Sequence, residues 1–202
     1  METNEVKELT PTEEILEIIR SGQSDQQIRD ALDDYHENDI ADVLPLINKE
    51  TRERLYRILG VERLSEVFTY IDDVSEYLDE LPLEEAAGVL ENMDADDAVD
   101  ALEDIENEDQ RQQLMSMMDD ESSEDIRLIK SFDSDEIGSI MTTNYVSIPE
   151  TYTIKEAMRS VVRQAHENDN INTIYIEDSH GKYAGAMELK DLIIARDYVP
   201  LE

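Results

Sequence analysis

Residues 138–195 read GSIMTTNYVSIPETYTIKEAMRSVVRQAHENDNINTIYIEDSHGKYAGAMELKDLIIA, and this stretch decides the fold of the C-terminal third of the chain. Asn144–Ile148 (NYVSI) is a short β-type run that Pro149 ends, because proline has no N–H to give a sheet. Thr151 and Thr153 then stand as helix caps ahead of Ile154, Ala157, Met158, Val161 and Val162, which recur at helical spacing. Asn172–Ile176 predicts a second strand, Asp178–Gly181 a polar turn, and Tyr183–Met187 the returning strand. Leu189–Ala195 begins a last helix. The pattern predicts a β-α-β-β-α unit with Val146, Ile148, Ile174 and Ile176 facing its core.

Working back from that unit, the chain changes character and repeats itself. Leu83–Met93 (LEEAAGVLENM) reappears twelve residues on as Ala95–Ile105 (ADDAVDALEDI). The frame continues through Glu108, Asp109, Leu114 and Met117, then Ile126 and Ile129. It is met earlier in Asp72, Asp73, Val74, Leu78 and Leu81, and again over Glu37–Ile47. Two acids favour each helix start through the dipole, and an apolar stripe follows at i+3 and i+4. Helices of about ten residues are too short to stand alone, so each must bury its stripe on its neighbours. The prediction is a superhelical α-solenoid over residues 12–132, opened by helices Glu13–Arg20 and Asp25–Tyr35, then the β-α-β-β-α domain over residues 133–202.

Composition narrows the function. The 202 residues hold 52 acids and 17 bases, net −35, which excludes nucleic acid and an anionic membrane surface as partners. Disorder would suit such charge, but 40% hydrophobic residues at regular spacing argue for a folded chain. With no cysteine there is no disulfide, thiolate zinc site or cysteine nucleophile. The N-terminus METNEVKELT has no apolar signal core, and no run approaches the about 18 apolar residues of a membrane helix, so the segment is expected to be soluble and cytoplasmic. His36, His166 and His180 lie in separate contexts, and six glycines form no phosphate loop or nucleophile elbow, so no enzyme activity is expected. Met93, Met115, Met117, Met118 and Met141 are expected as core filler.

The acids are concentrated. Residues 64–110 contain eighteen and not one Lys or Arg, and like charges so crowded oppose a compact state unless a cation offsets them. Clustered carboxylates without cysteine select hard cations: Mg²⁺, Ca²⁺ or Mn²⁺. Asp96 and Asp100 lie one helical turn apart on one face. Ala98 stands where an EF-hand pattern needs a ligand, and two rigid carboxylates cannot wrap calcium, but they suit a Mg²⁺ that keeps several of its waters.

Two resemblances follow. The order MT–x–x–Y–V–x–I, T–I–x–E–A–M and I–Y–I–x–D–x–x–G–x–x–x–G, over about 58 residues, resembles one CBS repeat, a ligand-sensing regulatory fold that works in pairs. Only one repeat is present, so the chain is expected to be a piece of something longer. Acidic short helices followed by SDEIGSIMTTNYVSI and that repeat resemble the cytosolic half of MgtE-type magnesium transporters. The resemblance implies a Mg²⁺-sensing region on the cytoplasmic side of the cell membrane, which closes a membrane-embedded pore of the same full-length chain and forms a homodimer through its CBS domains. It implies metal-binding acids at Glu66, Asp96 and Asp100 and a backbone carbonyl ligand at Ser139. It also implies ATP binding at Thr173, Lys190 and Asp191, although Glu188 stands where many CBS repeats offer Ser or Thr. Two other readings are a protein–protein scaffold, since the acidic solenoid also resembles the middle part of flagellar motor switch proteins, and a nucleotide-sensing CBS protein. A motor protein would carry no CBS repeat.

Overall fold

The computed structural model describes residues 9–133, 135–166, 168 and 170–195. The chain divides into two compact units, one ending at Ile140 and one beginning at Met141.

The first unit is helical. Helix α1 (Pro11–Arg20) starts in a capping box between Thr10 and Glu13, and α2 (Asp25–Leu32) in another between Ser24 and Gln27. The next repeat, expected as one helix over Glu37–Ile47, is instead α3 (Glu37–Ala41) followed by a 3-10 turn, Leu44–Leu46. Pro45 is the reason, because it cannot donate to a continuing helix. Helix α4 (Lys49–Phe68) is broken at Gly60, whose φ of 75° and ψ of 170° lie in a region open only to glycine. Arginines stitch this joint from both sides. Arg29 of α2 donates from Nε to the Ile58 carbonyl at 2.6 Å, just before the break. Arg63, just after it, donates to the Leu32 carbonyl at 2.7 Å and pairs with Asp33 at 2.9 Å. Each helix thus has its last carbonyls satisfied by a side chain of the other.

The twelve-residue frame then becomes α5 (Ser75–Leu78), α6 (Leu83–Glu91), α7 (Ala95–Asp104), α8 (Glu108–Met117) and α9 (Asp120–Ile129). Helix α5 is only four residues long, since Asp73 is drawn into a turn by the Ser75 N–H and hydroxyl, and Pro82 starts the next helix. Packing skips one element: α4 rests on α6 and α6 on α8, while α5 rests on α7 and α7 on α9. The buried stripes are Ala86, Ala87, Val89 and Leu90 on α6, and Ala95, Ala98, Val99, Ala101 and Leu102 on α7. Alanine on the contact rows lets such short helices approach closely. Met118 is buried, but Met117 is exposed and fills no core. No described helix is long and apolar enough to cross a membrane.

The second unit holds β1 (Val146–Pro149), α10 (Ile154–Gln164), β2 (Thr173–Glu177), β3 (Tyr183–Glu188) and α11 (Leu189–Ile194). The sheet order is β1-β2-β3, with β1 parallel to β2 and β3 antiparallel. A capping box between Thr153 and Glu156 opens α10. Val146, Ile148 and Ile174 are fully buried with Ile154, Ala157, Val161 and Leu192, and Ile176 packs against them partly buried. Pro149 is the last residue of β1 rather than its stop, beside Glu177 of β2.

Candidate functional site

Helix α7 carries an acidic ladder. Asp96 and Asp97 fall in its first turn, where the helix dipole favours negative charge. Asp97, Asp100 and Asp104 recur at i, i+3 and i+7 and therefore share a face. That face, with Asp72 and an apolar floor that includes Phe68, Ile71 and Met93, lines a cavity of about 220 Å³. Asp100 lines this cavity without Asp96, the partner its spacing predicts, and shares it with Asp72, Asp97 and Asp104. Those three were missed, although the 97-100-104 spacing is visible in the sequence. Asp96 and Glu66 are not among the lining residues. Glu66 is exposed on the second half of α4, and Asp96 is half-buried, its Oδ1 shielded and without a hydrogen-bond partner.

The base-free run is not left wholly without partners, as its composition predicts. Arg52, from outside the run, donates from Nε to Glu80 at 2.8 Å, and Tyr56 donates to the same carboxylate at 2.9 Å. Those bonds hold Glu80 below its ordinary range. Glu108 pairs with Arg111, Asp79 accepts from Gln110 at 2.7 Å, and Glu91 accepts from the Asp119 N–H at 3.2 Å. Asp97 and Asp100 have no such help among the described residues. Burial and then the carboxylates of Asp96, Asp94 and Asp100 push Asp97 up to about 6. Burial, Glu103, Asp96 and Asp104 raise Asp100 as well. The residual repulsion is therefore focused on α7. No three described acids or histidines stand close enough to form a direct metal-binding group. Carboxylate oxygens spaced in this way suit a hydrated hard cation better than a directly ligated one.

Ser139 lies half-buried in a 3-10 turn, Ile137–Ile140, that packs on α9. Its hydroxyl and N–H both donate to the Glu136 carbonyl, at 2.8 and 3.1 Å. In the second unit, register sets Thr173 opposite Glu188, and the Leu189 N–H donates to the Asn172 carbonyl at 2.9 Å. Lys190 and Asp191, in the first turn of α11, therefore emerge at the end of the sheet where β2 begins, and both are exposed with Thr173. A separate cavity of about 360 Å³ is lined by Thr142, Tyr145, Tyr175, Ile176, Glu177, Gly181 and Tyr183 and includes none of those three. Tyr175 bridges its aromatic wall, 5.4 Å from the Tyr145 ring and 6.3 Å from that of Tyr183. His180 is exposed in the turn before β3.

The family model for the MgtE intracellular N domain matches residues 35–135, and that for the CBS domain matches residues 137–198. The chain is 29% identical over 194 residues to the magnesium transporter MgtE of Bacillus subtilis, covering 94% of this chain and 43% of that protein. It is 34% identical over 155 residues to the magnesium transporter MgtE of Enterococcus faecalis, covering 75% of this chain and 34% of that one. The chain spans less than half the length of the curated relatives it matches. A crystal structure of the soluble part of a magnesium transporter superimposes with a TM-score of 0.85 at 26% identity, over 95% of this chain and 75% of that one. The cytosolic domain of the Mg²⁺ channel MgtE in complex with ATP gives 0.81 at 27% identity, over 93% and 77%.

Proposed function

Because the chain belongs to the MgtE family, by its intracellular N domain and CBS domain, we propose that it is the Mg²⁺-sensing cytosolic region of a magnesium transporter. The observation that carries this reading is the uncompensated acid on α7, where Asp97 and Asp100 find no cation among the described residues and Asp96 keeps a buried oxygen unpartnered. Glu66, Asp96 and Asp100 supply carboxylate oxygens and Ser139 a carbonyl. A Mg²⁺ held largely through its waters by these groups, all of which belong to the helical unit, favours a compact state. In the full-length transporter that state closes the pore, with this region on the cytoplasmic side of the membrane. A cation shifts such an equilibrium only by its differential affinity for the two states, so several weak sites acting together fit better than one strong site.

Assembly follows from the second unit. Val162 of α10 and Ile193 and Ile194 of α11 are 58, 63 and 67% exposed, and they fit a homodimer formed through the CBS domains. Nucleotide is a second reading at the same unit, with Thr173, Lys190 and Asp191 as its residues. It is supported by the ATP held by the similar MgtE cytosolic domain.

The test is thermal unfolding. Millimolar Mg²⁺ is expected to raise the melting temperature several degrees above Na⁺ at matched ionic strength, with a smaller gain in Asp96→Asn/Asp100→Asn. Equal responses to both salts would reduce the effect to screening and remove the case for specific sites.

A further inference from the structure

The helical unit ends in a turn built onto its last helix. Phe132 follows α9 closely, and its N–H donates to the Ile129 carbonyl at 3.2 Å. Ile126 and Ile129 of that helix are core residues, so the backbone at Phe132 is tied to a fixed element. The chain then reverses. The Glu136 N–H donates to the Asp133 carbonyl at 2.8 Å, and Oε2 of Glu136 accepts from the Asp133 N–H at 2.9 Å. The two bonds from Ser139 to the Glu136 carbonyl complete the reversal and bring Gly138 against the Phe132 ring. A Cβ on Gly138 would lie 2.5 Å from Cγ and Cδ1 of that ring and 2.6 Å from Cδ2, where real Cβ atoms keep at least 3.0 Å. Cγ is the anchored end of the ring, so a small swing of its tip makes no room. Gly138 does not have a left-handed φ, and glycine is therefore needed here for close approach alone.

We propose that Gly138 and Phe132 form a rigid coupling that carries the position of α9 to the start of the second unit, and that any reorientation of that unit is confined to residues 141–145. Helix α7, with Asp97 and Asp100, rests on α9. Helix α9 in turn holds the turn Ile137–Ile140, and the second unit begins at Met141, directly after it. Each link up to Ile140 is a packed contact, so a shift of α7 reaches that point through fixed elements rather than through a free linker. Residues 141–145 hold no helix or strand and are the first whose dihedrals can absorb a change of direction. The consequence for regulation rests on the Mg²⁺-sensing reading: an ion bound on the helical unit bears on the second unit through this coupling. Loosening it adds the ordering of the turn to the cost of the compact state, and more Mg²⁺ is then needed to reach that state.

Gly138→Ala, Phe132→Ala and the double variant test the coupling in the whole chain. Hydrogen exchange read by NMR follows the Glu136 and Ser139 amides, which close the turn. Both are expected to exchange at least about tenfold faster in each single variant, while the amides of α7 and β2 keep the parent's rates and show the fold intact. The double variant is expected to exchange no faster than the faster single, because both substitutions remove the same contact. Small-angle scattering across a Mg²⁺ titration is the second readout, and Gly138→Ala is expected to compact only at several-fold higher Mg²⁺ than the parent. Unchanged exchange in Gly138→Ala, or a double variant in which the two effects multiply, overturns the coupling. A loosened turn with the parent's Mg²⁺ dependence overturns its part in transmission. A parent that does not compact with Mg²⁺ overturns the sensing reading instead, and the exchange rates then decide the coupling by themselves.

Discussion

Asp97 shows what a single residue of this chain contends with. Its carboxyl is pushed up to about 6 by burial and by Asp96, Asp94 and Asp100. A carboxyl whose folded value is raised binds protons more readily in the native state than when unfolded. Its contribution is therefore favourable at low pH and is lost as pH rises from about 4 to 6. In divalent-free buffer the protein is expected to gain stability as pH falls from 7 to 5. Asp97→Asn should flatten that slope and stabilise the chain at pH 7 by about 1 kcal/mol, a figure reduced for solvent screening. Glu80 and Asp119 are shifted down instead, by Arg52 and by Ser122, so their losses fall below about pH 4, outside this window. Urea melts at pH 5 and 7 measure the slope; an unchanged slope in the variant would show that Asp97 is solvated like any surface acid. The sequence carried the Asp96–Asp100 spacing plainly. It could not carry the burial of Asp97, because that depends on which side of α7 the residues of α4 and α5 cover.

At the scale of elements, periodicity was a good guide wherever an apolar stripe met no proline or glycine. Helices α6, α7, α8 and α9 begin within one residue of a twelve-residue frame, and all three strands fall within two residues of the runs that announced them. The frame failed at Pro45, which cuts α3 short, and at Asp73 and Pro82, which leave α5 only four residues. Gly60 was the joint that the pattern hid, since apolar residues continue on both sides of it. A Cβ at Gly60 would meet nothing within 4 Å, so substitution there probes backbone strain alone. Gly60→Ala is expected to destabilise the helical unit by about 1–3 kcal/mol, read as a lower urea midpoint with an unchanged slope. A neutral result would mean that Arg29 and Arg63 do not hold the break in its glycine-only conformation.

The whole molecule carries −35, distributed so that the helical unit holds most of it and residues 64–110 hold no base at all. Arg52 and Arg111 pair with Glu80 and Glu108, while Asp97 and Asp100 on α7 are pushed up by burial and by neighbouring acids. Under the proposed function, a hydrated Mg²⁺ offsets part of this like charge and so favours a more compact state. Compaction driven by Mg²⁺ is therefore the central consequence of the proposed sensor. Small-angle scattering across a Mg²⁺ titration at constant ionic strength measures it directly. The radius of gyration is expected to fall over the millimolar range in the parent chain, and to fall only at several-fold higher Mg²⁺ in Asp96→Asn/Asp100→Asn. A double variant that compacts at the same Mg²⁺ concentration as the parent would contradict the assignment of this pair as the sensor.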